Sequence, residues 1–177
     1  MGFLKGFSFF LSFTSIVCSA SVAVAFFEKF DSKGNRIELE KGGRFFHIAI
    51  LHDKRWLHAD SYYGVRFEDH LPIEKYGSVT TLLYAKDLTL SESSLQEFLG
   101  KPYDSSYTWG DEKIYCSELI AKLLHIPAVP MRFDGEYWKG RESLPWGELG
   151  ASPDYVFQYL SSSSAWRERR FCQALLK

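Results

Sequence analysis

Three side chains in this sequence have the types and spacing that acyl chemistry needs: Cys116 in "KIYCSELIAKLLH", and His47 and His58 in "FFHIAILHDKRWLHAD". Leu119, Ile120, Leu123 and Leu124 make one apolar face of a predicted helix, and Cys116 falls in its first turn. Unpaired N–H groups and the helix dipole there favour thiolate over thiol, and the same N–H groups suit an oxyanion. By itself that leaves four readings open: nucleophile, half of a disulfide, metal ligand or small hydrophobe.

His47 is the odd residue of a strand predicted over residues 44–51. By period 2 it shares a face with Phe45, Ala49 and Leu51. A second strand over residues 55–60 carries Trp56, His58 and Asp60 on one face, antiparallel to the first. A hairpin loop of two or four residues sets His47 directly opposite His58, with Cβ atoms about 5 Å apart. A three-residue loop sets them on opposite faces. A histidine held by a second polar group has its tautomer and ring direction fixed, which is how a general base is oriented. With Cys116 the pair makes a nucleophile, base and orienter set.

The elements that must position these residues follow from the same pattern. Strands are predicted over residues 65–68 and 78–86, with a short one at 36–39. Ser91 is a good N-cap for a helix whose stripe is Leu95, Phe98 and Leu99, and Gly100 is its natural stop. The loop "KPYDSSYTWGDEK" leads to the Cys116 helix, which Pro127 and Pro130 end. A return strand is expected near residues 155–158, and a C-terminal helix across "SSSSAWRERRFCQALLK", with Cys172 on it and no catalytic task. The sum is an α+β domain with an antiparallel sheet and flanking helices.

With 177 residues, 46% of them hydrophobic and 24% charged, the chain is built as one domain with a sizeable core. A formal net charge of −1 argues against nucleic acid as partner, because no basic field exists to neutralise phosphates. The start reads differently: Lys5, then an uncharged apolar run, then the A-x-A site of Ala23 and Ala25. Residues 1–25 therefore read as a secretory signal peptide and residues 26–177 as the mature domain, with Ala20 as an earlier cleavage choice. The apolar run is short for a membrane span, so no stable span is expected after cleavage. A lipoprotein site at Cys18 is disfavoured by the bulky Val17 before it. The expected location is the periplasm or the medium. Export raises the question of a Cys116–Cys172 bridge, a minority reading for a chain able to build an ordinary core.

The blocks "FFHIAILHDKRWLHADSYYGV" and "LGKPYDSSYTWGDEKIYCSELIAKLL" resemble the permuted papain-like hydrolases of the NlpC superfamily, the YaeF/YiiX group. That group shows a strand of the type H-[VIA]-[GA]-I and a following strand ending in [EH]-A. Gly-Val comes next, then G-x-P-Y-D, and finally Y-C-S-E-L opening a helix. The resemblance covers residues 43–124 in the permuted order, histidine first and cysteine last. It implies the circularly permuted papain-like fold, with Cys116 as nucleophile and His47 as base. His58 falls at the third polar position, where relatives carry Glu or His. Tyr103 matches the tyrosine that lines the site and assists oxyanion or substrate binding.

Two departures bear on this. Ala49 replaces the more usual Gly, and His58 in place of Glu leaves open whether Asp60 shares the orienting role. "SPDYVF" resembles the segment these proteins use to return a strand to the sheet. The implied reaction is amide cleavage without metal or organic cofactor, in peptides or amino-acid amides, with peptidoglycan peptides as one exported substrate. The alternatives are a thiol-dependent lipid acyl hydrolase or acyltransferase, and a non-catalytic module that binds cell wall or a partner.

Other residues read more plainly. Glu118 suits the helix dipole, and Asp104 is a turn former. His52, His70 and His125 fall in a turn, a loop and a helix end. A zinc site from His47, His58 and Cys116 is chemically conceivable, yet the sequence lacks short-spaced ligand pairs such as C-x-x-C.

Overall fold

The computed structural model describes residues 21–141 and 143–170. Six strands form one sheet: β1 (Ser21–Glu28), β2 (His47–His52), β3 (Arg55–Asp60), β4 (Gly64–Glu68), β5 (Ser78–Lys86) and β8 (Trp166–Arg170), in the order β4-β3-β2-β1-β5-β8. Every neighbouring pair is antiparallel. The helices are α1 (Ile73–Tyr76), α2 (Glu92–Phe98), α3 (Cys116–Leu123) and α4 (Pro153–Ser161). Two short strands, β6 (Val129–Pro130) and β7 (Leu149–Gly150), pair with each other. The α+β class with an antiparallel sheet and flanking helices is what the sequence predicts.

Both faces of the sheet are covered. On one, Val22, Val24 and Phe26 of β1 join Ile48, Ile50, Leu57 and Leu83 in a core shared with Leu119, Ile120 and Leu123 of α3, Leu95 of α2 and Val156 of α4. On the other, Ala25, Phe27, Ala49 and Val79 pack with Leu71 and Tyr76 around α1. A strand buried on both sides reads as an unbroken apolar run, and β1 is one. Its central place bears on the two cleavage choices. A cut after Ala25 passes through β1, while the choice after Ala20 leaves the strand whole. Residues 1–20, with Cys18, lie outside the described residues. Among the described residues no helix is long and apolar enough to cross a membrane.

Three other local expectations change. Residues 36–39 form no strand, only an isolated bridge between Phe30 and Arg36. The segment near Tyr155 is helix, not a return strand. Ser152 accepts from the Tyr155 N–H at 3.1 Å, Pro153 fills the first helical position and Asp154 sits in the first turn. Those are start signals for a helix. The expected C-terminal helix is replaced, over Trp166–Arg170, by β8 on the sheet's edge against β5. Cys172 lies outside the described residues.

Candidate active site

The hairpin joining β2 to β3 sets the histidines. Asp53 and Lys54, at φ 45° and 65°, form a two-residue turn in the left-handed region that suits strand twist. The resulting register pairs His52 with Arg55, Leu51 with Trp56 and Ile50 with Leu57. Extended by arithmetic, it faces His58 with Ala49, so the expected direct opposition of His47 and His58 is corrected by two residues. The turn lies one position later than that opposition requires. The slip is even, so both side chains stay on one face. They meet diagonally, with His47 Nε2 and His58 Nδ1 3.0 Å apart and the rings perpendicular.

Both rings are buried, and burial drives their chemistry. His47 is 2% exposed and is held well below the usual histidine range by burial, with the neighbouring His58 adding to it. Burial likewise lowers His58 to about 4. His58 Nε2 has no hydrogen-bond partner among the described residues. His47 stacks on Tyr76, centroids 3.8 Å apart and planes 11° from parallel. The Tyr76 hydroxyl donates to Asp60 Oδ2 at 3.1 Å, and Asp60 also takes Lys75 Nζ at 2.8 and 2.9 Å and the N–H groups of Tyr62 and Tyr63. Burial alone would raise Asp60; the Lys75 and backbone hydrogen bonds overcome it and hold the carboxyl far below its ordinary range. Asp60 thus acts on His47 through the Tyr76 ring and by its charge, while His58 makes the hydrogen bond. Sequence reasoning passed over Tyr76 and Lys75. Their four-residue helix gives no periodic signal, though the Pro72 ahead of it was a visible cue.

Cys116 opens α3, where the structure seats it against the end of β2. The approach is built in steps. Gly64, at φ +74°, lets the chain at Lys101 lie so close that a Cβ would sit 2.1 Å from the Lys101 carbonyl oxygen. Val65 N–H donates to Lys101 O at 2.8 Å, and Gly100 N–H to Val65 O at 2.9 Å. Tyr103 then bridges to Ile114, two residues before the cysteine. Asp104 is the turn former expected, accepting from Ser106 N, Thr108 N and Thr108 Oγ1, each at 2.8 Å.

The thiol of Cys116 is free and buried. Burial pushes it up to about 11, against hydrogen bonding from the Ile48 backbone and from Ser117. This corrects the expectation of a depressed thiol: at this helix start, desolvation outweighs the dipole. Thiol and imidazole are therefore both neutral at rest.

Glu118 proves more than a dipole complement. It is fully buried, takes Gly110 N–H at 3.0 Å and Tyr115 N–H at 3.3 Å, and pairs with Lys122 at 2.9 Å. Lys122 Nζ also donates to the Gly110 carbonyl and to Asp111. Removing one partner of such a buried pair strands the other, so Glu118→Ala should cost about 3 kcal/mol in denaturant unfolding. Glu118→Gln, which keeps an acceptor, should cost less.

His47, Cys116 and Tyr103 open onto one cavity of about 190 Å³. Burial holds the Tyr103 phenol well above its ordinary range, and a thiolate at Cys116 would raise it further, so it remains an O–H donor. Burial likewise raises Tyr107, to about 12, and Tyr115. With Met131, Phe133 and Trp138 they make an aromatic wall. Among the described residues no three His, Cys, Asp or Glu side chains converge to hold a metal. His47 and His58 turn ring nitrogens on each other at hydrogen-bond distance, so they do not fit as joint ligands of one ion.

The family model described as "Permuted papain-like amidase enzyme, YaeF/YiiX, C92 family" matches residues 74–132. That stretch includes Tyr103 and Cys116 and leaves His47 and His58 outside it. The protein "Uncharacterized protein YiiX" of Escherichia coli (strain K12) is 45% identical over a match covering 35% of this chain and 39% of that protein. The match thus spans well under half of that relative's length. A crystal structure titled as metalloprotein yiiX from Escherichia coli O157:H7 aligns with a TM-score of 0.50 and 18% identity, over 85% of this chain and 95% of that one. That likeness is one of fold.

Proposed function

Starting from a chain that is a relative of the permuted papain-like amidases of the YaeF/YiiX type, we propose that it hydrolyses an amide bond with Cys116 as nucleophile and His47 as base. What supports this is the opening of His47 and Cys116 onto a single cavity, with the buried His58 holding His47 from behind.

His47 Nε2 is committed to His58, so Nδ1 is the nitrogen left to act. As Sγ attacks the carbonyl carbon, the thiol proton passes to Nδ1, and the Cys116 N–H and Tyr103 hydroxyl hold the oxyanion. Nδ1 then hands the proton to the leaving nitrogen, and the C–N bond breaks to leave a thioester. Water attacks that thioester while Nδ1 takes its proton, releasing the carboxylic acid and restoring the thiol. Since thiol and imidazole rest neutral, proton transfer accompanies attack rather than preceding it.

The test is to incubate the protein and Cys116→Ala with peptidoglycan fragments, aminoacyl amides and phospholipids, and to assay the products. Release of amine, lost by roughly 10³-fold or more in the variant, is the expected result. Turnover confined to phospholipids would move the reading to a lipid acyl hydrolase. No turnover in any class would leave a binding module. In the free protein, iodoacetamide labelling of Cys116 should climb only above the ordinary thiol value of about 8.5, in keeping with a thiol held near 11. Labelling already complete at pH 6 would replace the neutral pair with a preformed ion pair.

Export belongs to the same proposal. A cut between Ala20 and Ser21 leaves β1 intact, and the intact mass of exported protein should place its first residue at Ser21.

A further inference from the structure

Three cations line the active-site cavity: Lys29, Lys75 and Arg132. Two are neutralised, Lys75 by Asp60 and Arg132 by Asp134. Lys29 is not. Its ammonium donates to the Lys75 backbone carbonyl at 3.0 Å and rests 4.7 Å from the centroid of the Phe46 ring. It is half-buried, and no carboxylate among the described residues lies within salt-bridge reach of it. A partly desolvated cation with donors to spare, facing a cavity, is half of an ion pair whose other half arrives with the ligand.

The side of the scissile bond follows from its neighbours. Lys29 rests on Phe46, the residue before His47, and bonds the carbonyl of Lys75, the residue before Tyr76, whose ring stacks on His47. Tyr103, Tyr107 and Tyr115 pack together instead beside Cys116, which follows Tyr115 in the chain. In the proposed reaction His47 serves the leaving nitrogen and Cys116 keeps the acyl group. We infer that Lys29 is an anion subsite for the leaving amine, and that the substrate is an amide joining an apolar or aromatic acyl group to an amine that bears a carboxylate. The inference rests on the amide-hydrolase reading for direction and on the Lys29 environment for chemistry.

The test pairs phenylacetyl-amino acids with analogues whose carboxylate is a primary carboxamide. Release of phenylacetic acid is followed for the native protein, Lys29→Met, Lys29→Glu and Lys29→Arg, and calorimetry measures binding of the same compounds to Cys116→Ala and to Cys116→Ala/Lys29→Met. The native protein should prefer the carboxylate, and Lys29→Met should reduce that preference roughly 10- to 100-fold. Lys29→Glu should reverse it and Lys29→Arg restore it, with thermal unfolding checking that each variant folds. Equal loss on both members of a pair, or no loss, overturns the subsite. If nothing is cleaved yet Cys116→Ala binds carboxylates in a Lys29-dependent way, the subsite stands and the hydrolase reading falls.

Discussion

A chain that begins at Phe26 will fail to fold, while one that begins at Ser21 will fold like the full-length protein. β1 is hydrogen-bonded on both sides, and its first five residues supply Ala23, Val24 and Ala25 to the ladder with β2 and all five to the ladder with β5. Val22, Val24 and Ala25 are 3%, 0% and 0% exposed. Two buried valines are worth about 1.5–3 kcal/mol each, and each ladder hydrogen bond adds about 1 kcal/mol. Their loss is comparable with the roughly 5–15 kcal/mol by which domains are stable, and it opens two strand edges mid-sheet. Circular dichroism and gel filtration of the two truncations decide the matter. A folded, monomeric chain from Phe26 would mean that β1 is dispensable.

Removing the acceptor that His58 offers should reduce turnover on the order of 10³- to 10⁴-fold, whereas a substitute that keeps an acceptor should not. For His47 to keep a lone pair on Nδ1, its Nε2 must carry the proton and donate to His58 Nδ1. His58 then bears its own proton on Nε2, the atom that lacks a partner. Asn offers an amide oxygen close to where Nδ1 lies, so His58→Asn should retain most activity. His58→Ala loses the acceptor, and His58→Lys offers donors only; both should be nearly inactive.

A second readout separates orientation from mere packing. His58 titrates near 4 when folded and about 6.5 when unfolded. The unfolded chain therefore binds more protons between those values. The stability contributed by His58 is complete above pH 6.5 and is lost as pH falls towards 4, on the order of 3 kcal/mol in all. His58→Asn should flatten that part of the stability profile, measured by denaturant titration from pH 7 to 4. If His58→Ala keeps native turnover, His58 does not orient His47.

The two histidines and the cysteine were legible because each breaks a pattern: one polar residue in an apolar strand, one thiol at the head of an apolar helix. The register between them was less legible. Nothing in "HDK" says which two residues turn, and only the positive φ of Asp53 and Lys54 sets it. β1 is hard to see in the sequence for a physical reason. A central strand and the tail of a signal peptide both call for small and apolar residues without alternation, so "SVAVAFFE" satisfies either. β8 went unseen because an edge strand of "WRERR" takes its structure from β5, over 80 residues away in the sequence. Lys29 could not be read at all. A lone lysine is ordinary in a sequence, and only the absence of a nearby carboxylate gives it meaning.

The cavity is built from two separately braced halves. Tyr103, Tyr107 and Cys116 belong to one stretch of chain that Asp104 and the Glu118–Lys122 pair tie together. His47 and His58 belong to the sheet, braced by Tyr76 and Asp60. A substitution in one brace can therefore loosen the thiol or the imidazole pair without displacing the other. The two groups that would have to meet in catalysis are thus held by independent parts of one small fold.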